Sequence, residues 1–360
     1  MTVLTAPAPA AVLTSGKLPK WAPWALLAGS FLVAFAVFGV AAIGGDLADF
    51  NIAGAAVVGI LLYMVLVTVI SSIAESRRKA VDRLMTALVA TAFLIALLPL
   101  ISLLWTVVAN GIQRFDAEFF SFSMRNVVGE GGGIVHAIWG TILITLTAAV
   151  ISVPIGLMTS IYLVEYGRGR IAKAITFFVD VMTGIPSIVA GLFIYAVFAL
   201  VIGPGISMGI MGALALAVLM TPVVVRGSEE LLRIVPNELR EAAYALGVPK
   251  WLTILKVVLP TSIAGIMTSV MLSISRVIGE TAPLLLTAGF TMSLNTNIFS
   301  GQMMTLPVFA YGQYMNQGTT PDAALDRAWA SALTLILIVM VLNLLARLIA
   351  KWFAPKTSGR

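Results

Sequence analysis

Two charged residues lie four positions apart in an apolar stretch, residues 261–289, that is long enough to cross a bilayer. Arg276 and Glu280 are the only charged residues of that stretch. If the stretch forms one helix, the spacing places both side chains on one face, where they can form an ion pair. An arginine near the bilayer centre costs about 2.5–3.5 kcal/mol to insert, so we expect Arg276 to face a bundle interior or a water-filled path.

The guanidinium of Arg276 is suited to binding an oxyanion, because it is always charged and offers bidentate hydrogen bonds. A carboxylate beside it repels an anion, and this indicates a gate rather than a static anion site. We expect Glu280 to pair with Arg276 in one conformation and to release it toward the anion in another. The alternative interpretation is a structural ion pair that joins two helices. Charges inside a membrane segment are functional by default, which favours the first interpretation.

The elements that must position this pair are membrane-spanning helices. With 60% hydrophobic and 11% charged residues, the composition differs from that of soluble domains, in which about a quarter of the residues are charged. The fold class is therefore all-α integral membrane. Apolar segments predict about eight spanning helices, at residues 24–43, 53–73, 84–108, 134–163, 177–201, 209–225, 261–289 and 329–350.

The distribution of Lys and Arg predicts the orientation of these spans. With the N-terminus in the cytoplasm, eighteen of them fall inside and only Arg114, Arg125 and Arg327 fall outside. We therefore expect a multi-pass protein of the cytoplasmic (inner) membrane with both termini in the cytoplasm. This topology accounts for the net charge of +6, so a nucleic-acid partner is not expected.

Residues 226–260 form a polar island between two apolar segments, and we predict a helix, a sharp turn and a second helix there. Asn237 is the expected cap of the first helix, and Gly247 is the residue that ends it. The first helix carries an apolar stripe that needs a surface to pack on, formed by Leu239, Ala242, Ala243 and Leu246.

Several of these residues resemble the EAA loop of ABC-importer permeases, the cytoplasmic element that docks in a cleft of the ATPase subunit. The resemblance lies in the run Glu241-Ala242-Ala243, in Gly247 and in Pro260. It implies that these five residues couple the chain to an ATPase. An amphipathic hairpin on the membrane surface is the alternative interpretation.

From about residue 84 to residue 353 the chain resembles the permease subunits of the phosphate-specific transport (Pst) system. The resembling runs are 153–157 with 162–166, 184–189, 276–285 and 304–308, and the sequence GETAP at 279–283 favours the PstA type over its partner PstC. The resemblance implies a type I ABC-importer permease core of six spanning helices. The expected organisation is a disordered cytoplasmic tail at 1–23, an additional two-helix transmembrane hairpin at 24–83 and the permease domain at 84–360.

The family resemblance also implies a function and a set of partners. The chain would be the transmembrane permease subunit of an ATP-driven importer of inorganic phosphate, embedded in membrane lipid. The implied partners are a PstC-like permease, a dimer of PstB-like ABC ATPases and an external PstS-like phosphate-binding protein. The outside loops at 110–133 and 290–327 resemble the surface that receives the binding protein.

The chain itself is not expected to be an enzyme. It has no G-x-x-x-x-G-K-[ST] phosphate loop, so ATP hydrolysis belongs to a separate subunit. No cofactor or metal site is expected, because the chain has no cysteine and only one histidine, His136, which we place in an aromatic interface belt beside Trp139.

Three alternative functions fit parts of the sequence. Molybdate or sulfate permeases share the EAA loop. A secondary anion transporter driven by a proton or sodium gradient would use Glu280 as its proton carrier, but it would have no ATPase to dock. A regulatory membrane partner would sense phosphate through the complex without carrying flux.

Residues that break or thin helices mark candidate hinges. Gly184 and Pro186 lie in the fifth predicted span, and Gly279 and Pro283 lie in the seventh. Transporters often expose backbone groups to substrate, or bend between states, at such breaks. A role in packing or kinking alone is the alternative.

Two acidic residues, Glu165 and Asp180, lie near the cytoplasmic ends of spans. We expect them to pair mainly with the nearby cations Arg168, Arg170 and Lys173.

Overall fold

The computed structural model describes residues 18–41 and 51–353, and every regular element within these ranges is helical. Most of the predicted tail, residues 1–17, and the C-terminal residues 354–360 lie outside the described residues. The chain divides into two compact units, Met1–Leu104 and Trp105–Arg360.

The first unit contains α1 (Ala22–Ala41), α2 (Ile52–Ala74) and most of α3 (Arg77–Gly111). α1 and α2 approach closely because small residues face bulky ones. A Cβ atom at Gly59 would lie 3.3 Å from the ring of Phe31. Asn51 caps α2 by accepting a hydrogen bond of 2.8 Å from the N–H of Gly54.

The second unit begins with the end of α3 and a 3-10 turn, Ile112–Arg114, and contains eleven further α-helices within the described residues. They are α4 (Ala117–Ser121), α5 (Val135–Ile161), α6 (Arg170–Thr183), α7 (Ser187–Val201), α8 (Gly209–Ile234), α9 (Asn237–Ala245), α10 (Lys250–Thr253), α11 (Leu259–Val277), α12 (Ala282–Thr287), α13 (Leu306–Met315) and α14 (Pro321–Phe353). Two π-helical turns, Tyr162–Tyr166 and Ile254–Val258, extend α5 and join α10 to α11.

Helix α8 is the central helix of this unit and packs against α5, α6, α7, α11 and α12. Leu216, Met220 and Val224 repeat at intervals of four residues, so they form one buried stripe. The stripe packs against Ile144 and Ala148 of α5. α5 and α8 are so close at one point that a Cβ atom on Gly156 would lie 2.7 Å from Val224.

The predicted number of about eight spans is confirmed when the bent pair α6–α7 counts as one span, since seven other helices are long and apolar enough to cross a bilayer. The predicted boundaries need correction in the second half of the chain. The span predicted at 177–201 is broken after Thr183. The span predicted at 209–225 continues to Ile234, and the one predicted at 261–289 starts at Lys250 and stops at Val277.

The second predicted outside loop, residues 290–327, is not a simple loop. It contains α13, in which Leu306, Val308 and Phe309 are fully buried. Arg327, at the start of α14, is also buried and donates hydrogen bonds of 2.8 Å to Gln313 and to the carbonyl of Gly129. The two segments that were predicted to lie outside therefore contact each other through Arg327.

Candidate functional site

The first break that shapes the site separates α6 from α7, whose axes differ in direction by 107°. Pro186 has no N–H group and disfavours a helical conformation at Ile185, so the helix ends at Thr183 and restarts at Ser187. The N–H of Gly184 bonds to the carbonyl of Val181 at 3.0 Å, which closes the last turn of α6. The break therefore makes Ser187, which is half-buried, the first residue of a new helix.

The second break separates α11 from α12, between Val277 and Ala282. Pro283 lies in the first turn of α12, where its missing N–H group leaves no intrahelical bond unmade. Gly191 of α7 permits a close approach of α12, since a Cβ atom there would lie 2.7 Å from the Cα of Pro283. Gly279 has open space around it, so no steric contact requires a glycine at that position.

This second break corrects the expectation that Arg276 and Glu280 share one helix face. Arg276 belongs to the last turn of α11, whereas Glu280 lies in the break. Within the described part of the chain, neither side chain forms a hydrogen bond or an ion pair. The expected pair is therefore open in this conformation, because the helix ends before it reaches the i+4 position.

The two breaks meet at a cavity of about 170 Å³. Arg276 and Glu280 line it on one side, Thr183 and Ser187 on another, and Pro222 of α8 on a third. The α8 residues that line it, from Leu219 to Val223, lie about 15 Å from either end of that helix at 1.5 Å per residue. The cavity is therefore near the middle of α8, on the N-terminal side of its charged residues, which begin at Arg226.

The cavity contains groups that favour an anion and one group that opposes it. Arg276 is exposed in this chain and carries an unpaired guanidinium, and Glu280 is half-buried. α7 starts at the cavity, and the N–H groups of Ser187 and Ile188 have no acceptor among the described residues. The positive end of a helix dipole and free N–H groups stabilise an anion.

The EAA-like segment forms the predicted helix, turn and second helix. Gly247 has φ 75° and follows α9, and the N–H of Val248 bonds to the carbonyl of Ala243 at 3.1 Å, as in a Schellman motif. The prediction that Asn237 caps α9 is wrong. Pro236 is the capping residue, and Asn237 is the first helical residue without a capping bond.

Most of the apolar stripe of α9 is left uncovered by the described part of the chain. Ala243 is buried, but Ala242 and Glu241 are exposed and the side chain of Leu246 is 84% exposed. Pro260, in the first turn of α11, is also exposed. A stripe of this kind on the outside of a subunit is available to a second subunit.

Arg240 anchors α9 to the two helices beside it, and the sequence analysis missed this role. Its Nη2 lies 2.9 Å from Oε1 of Glu165, and both side chains are mostly buried. The same guanidinium donates hydrogen bonds to the carbonyls of Leu232 at 3.0 Å and Val235 at 2.6 Å, at the C-terminal end of α8. Nothing local in the sequence relates residues 165 and 240. The only signals were a carboxylate at the end of an apolar span and an arginine on the same helix face as Ala243.

Glu165 and Asp180 have partners other than the predicted ones. Glu165 pairs with Arg240, and Asp180 pairs with Arg226. Arg226 also contacts Glu229 at 2.9 Å, and Glu229 contacts Arg233 at 2.6 Å. This chain of charges joins α6 to the C-terminal half of α8.

His136 is buried rather than placed in an interface belt. Its ring lies edge-on against Phe309, with 5.4 Å between ring centroids, while Trp139 is 47% exposed. Neither ring nitrogen has a partner among the described residues. No group of three His, Cys, Asp or Glu residues with metal-binding spacing occurs in the described ranges.

Comparison with known proteins identifies the family. Residues 152–359 match the family described as binding-protein-dependent transport system inner membrane component. The chain is 46% identical over 276 residues to "Phosphate transport system permease protein PstA 1" of Mycobacterium tuberculosis (strain ATCC 25618 / H37Rv), covering 76% of this chain and 88% of that one. It is 38% identical over 294 residues to PstA of Yersinia pestis, covering 79% of this chain and 96% of the relative.

Solved structures with a similar fold are ABC-transporter chains. A chain of the inward-facing MetNI methionine ABC transporter aligns with a TM-score of 0.51 and 19% identity, over 61% of this chain and 96% of that one. A chain of the bacterial alginate ABC transporter aligns with a TM-score of 0.54 and 13% identity, over 76% and 96%. At these identities the likeness establishes the fold alone. Together with the close relatives, it establishes that this multi-pass helical chain belongs to the PstA family of binding-protein-dependent transport permeases.

Proposed function

We propose that this chain is one transmembrane subunit of an ATP-driven phosphate importer of the inner membrane and that phosphate crosses beside Arg276. The observation that carries the proposal is the cavity at mid-height of α8, which combines an unpaired arginine with the N-terminus of α7. A substrate oxyanion is the partner that both groups favour. The names of the PstA relatives indicate phosphate as that oxyanion.

Glu280 supports a gated path rather than a storage site. A carboxylate in the same cavity as Arg276 weakens binding of an anion, so the anion can leave again. We infer that rotation at the α11–α12 break brings Glu280 to Arg276 in a second conformation. The ion pair would then exclude phosphate, and its opening would admit it.

The exposed face of Arg276 needs a second wall, because one chain does not enclose a path. We propose that a PstC-like permease supplies this wall and that an external PstS-like protein delivers phosphate to the two segments that were predicted to lie outside. The excess of Lys and Arg on one side of the spans supports cytoplasmic termini.

Coupling to a dimer of PstB-like ATPases would occur through the exposed stripe of α9. Glu241, Ala242 and Leu246 lie on its accessible surface. The Arg240–Glu165 contact links this helix to the end of α5, and its carbonyl contacts link it to the end of α8. Movement of α9 would therefore reach the helix that lines the cavity.

The proposal is tested by uptake of radiolabelled phosphate into proteoliposomes that contain the co-purified complex. We expect uptake that requires ATP and the binding protein and that excess sulfate or molybdate does not inhibit. Uptake without ATP that follows an imposed proton or sodium gradient would establish the secondary-transporter alternative. Inhibition by sulfate or molybdate at equal concentration would identify a permease for a different oxyanion.

A further inference from the structure

A groove in the first unit has no part in the transport role proposed above. It lies between the α1–α2 hairpin and the N-terminal half of α3. α1 and α2 pack closely together, whereas α3 stays farther from both. The groove has a volume of about 540 Å³. Its mostly apolar walls come from all three helices and include Trp24, Phe31, Ile60, Val67, Ala90 and Leu94.

Small residues on α3 are the reason that the groove is open. Ala87, Ala90 and Thr91 face it, while the hairpin contributes the larger rings of Trp24 and Phe31. Small side chains leave space that a larger apolar side chain would fill. The groove therefore offers apolar surface for an elongated apolar ligand.

One end of the groove is marked by a cation with an unused hydrogen-bond donor. Arg83 lines the groove, and its Nη2 contacts Glu75 at 2.9 Å. Its Nη1 is buried and has no hydrogen-bond partner among the described residues. A buried guanidinium N–H without an acceptor is unfavourable, so an acceptor from outside the chain would stabilise this site.

The charge around Arg83 favours an anionic acceptor. Between residues 75 and 83 the chain carries four cations, Arg77, Arg78, Lys79 and Arg83, against the two carboxylates of Glu75 and Asp82. Glu75 is already occupied by Arg83, by Lys79 at 3.6 Å and by the N–H of Leu18 at 2.9 Å. The excess positive charge is therefore free to attract an anion.

The length of the groove matches one leaflet of a bilayer. Arg83 and Leu94 are eleven residues apart on α3, which is about 16 Å along the helix axis. Half of a hydrocarbon core about 30 Å thick is about 15 Å. Trp24, 73% exposed at the same end as Arg83, is the residue type that marks a membrane–water interface.

We propose that this groove binds one anionic phospholipid. Its phosphate lies on the guanidinium of Arg83, which turns to present Nη1, and an acyl chain runs along α3 toward Leu94. A phospholipid accounts for both the unused donor and the apolar walls. Inorganic phosphate would use only the unused donor, and a helix of a partner protein would use only the apolar walls. The proposal concerns the first unit and does not depend on the transport mechanism.

The test is native mass spectrometry of the full-length chain in its purified complex, in neutral detergent. The complex is titrated with dioleoyl phosphatidylglycerol and, separately, with dioleoyl phosphatidylcholine. We expect wild type to retain one phosphatidylglycerol in preference to phosphatidylcholine. Arg83→Gln should weaken this binding about tenfold or more, because it removes a charge-assisted hydrogen bond. The matched control Arg78→Gln should weaken it about fivefold or less, the effect of one diffuse charge.

A second variant, Ala90→Phe, fills the groove and leaves every charge in place. It should abolish phosphatidylglycerol retention while the complex elutes as wild type does in size-exclusion chromatography. Equal losses for Arg83→Gln and Arg78→Gln, or full retention by Ala90→Phe, would overturn the proposal. Displacement of the lipid by millimolar inorganic phosphate would reduce the site to a simple anion site. A wild-type groove without lipid, in which a photocrosslinker at position 90 captures a protein, would assign it to a partner subunit.

Discussion

Replacing Arg240 by glutamine removes the charge that attaches α9 to the end of α5. Glu165 then stays buried without a cation, since only 5% of its side chain is exposed and Arg240 is its ion-pair partner. Removing one member of a buried ion pair costs about 3–5 kcal/mol, although a glutamine can retain one of the bonds to the α8 carbonyls. We expect the substitution to lower the free energy needed to detach α9 from α5 and α8 by this amount, rather than to unfold the whole chain.

The assay is amide hydrogen exchange of residues 237–247 in the purified complex. A loss of about 3–5 kcal/mol in the opening free energy corresponds to exchange faster by about two to three and a half orders of magnitude. Arg233→Gln is the matched control. Arg233 also pairs with a buried carboxylate, but its own side chain is 66% exposed and Glu229 keeps Arg226 as a second partner. Its removal should change exchange by about tenfold at most.

A double-mutant cycle separates the ion pair from other effects of the substitution. Glu165→Gln combined with Arg240→Gln leaves no unpaired buried charge. The loss of opening free energy in the double variant should therefore be smaller than the sum of the losses in the two single variants. Additive effects, or Arg240→Gln exchange equal to that of the Arg233 control, would refute the assignment of Arg240 as the anchor of α9.

Three further predictions concern other parts of the chain. Gly191→Ala places a methyl group against the backbone of Pro283 and should lower the free energy of unfolding by about 1–3 kcal/mol, measured by thermal unfolding of the complex. Gly279→Ala, in open space, should leave the free energy of unfolding unchanged. Leu246→Glu should leave the fold of this chain intact but abolish co-purification of the ATPase, because Leu246 is 84% exposed; retention of the ATPase would contradict docking through α9. The N–H of Phe119, together with Arg114, lowers the pKa of Asp116 below its usual value. The ionised Asp116 therefore stabilises the fold fully above its unfolded-state pKa of about 3.9, and this stabilisation is lost as the pH falls through the lower pKa of the folded state. Asp116→Asn should remove this acid-dependent step from hydrogen exchange of residues 112–122, and an unchanged step would disprove the assignment.

The sequence predicted the spans and the EAA-like hairpin because both depend on local patterns. Hydrophobic length defines a spanning helix, and Gly247 after α9 adopts the left-handed conformation expected of a helix-ending glycine. The break before Ser187 could also be predicted, since Pro186 has no backbone N–H group to continue a helix.

Gly279 and Pro283 predicted a break in the seventh span, but the sequence did not predict that α11 ends as early as Val277, and this is why Arg276 and Glu280 were expected on one helix face. α11 ends at Val277 although nothing at Ile278 or Gly279 forbids a helix. The position of α12 depends on the close approach of Pro283 to Gly191, a residue more than ninety positions earlier. Pairings such as Arg240–Glu165 have the same origin, because only the packed fold brings distant residues together.

Passage of phosphate beside Arg276 is tested by comparing phosphate uptake with ATP hydrolysis in the same proteoliposomes. For Arg276→Gln we expect uptake to fall by about ten- to a hundredfold, the loss of a charge-assisted contact in the path, while the ATPase subunits still co-purify and hydrolyse ATP. Arg347→Gln, which removes an exposed charge from α14, serves as the control and should transport as wild type does. Uptake by Arg276→Gln at the wild-type rate would show that phosphate does not cross beside Arg276.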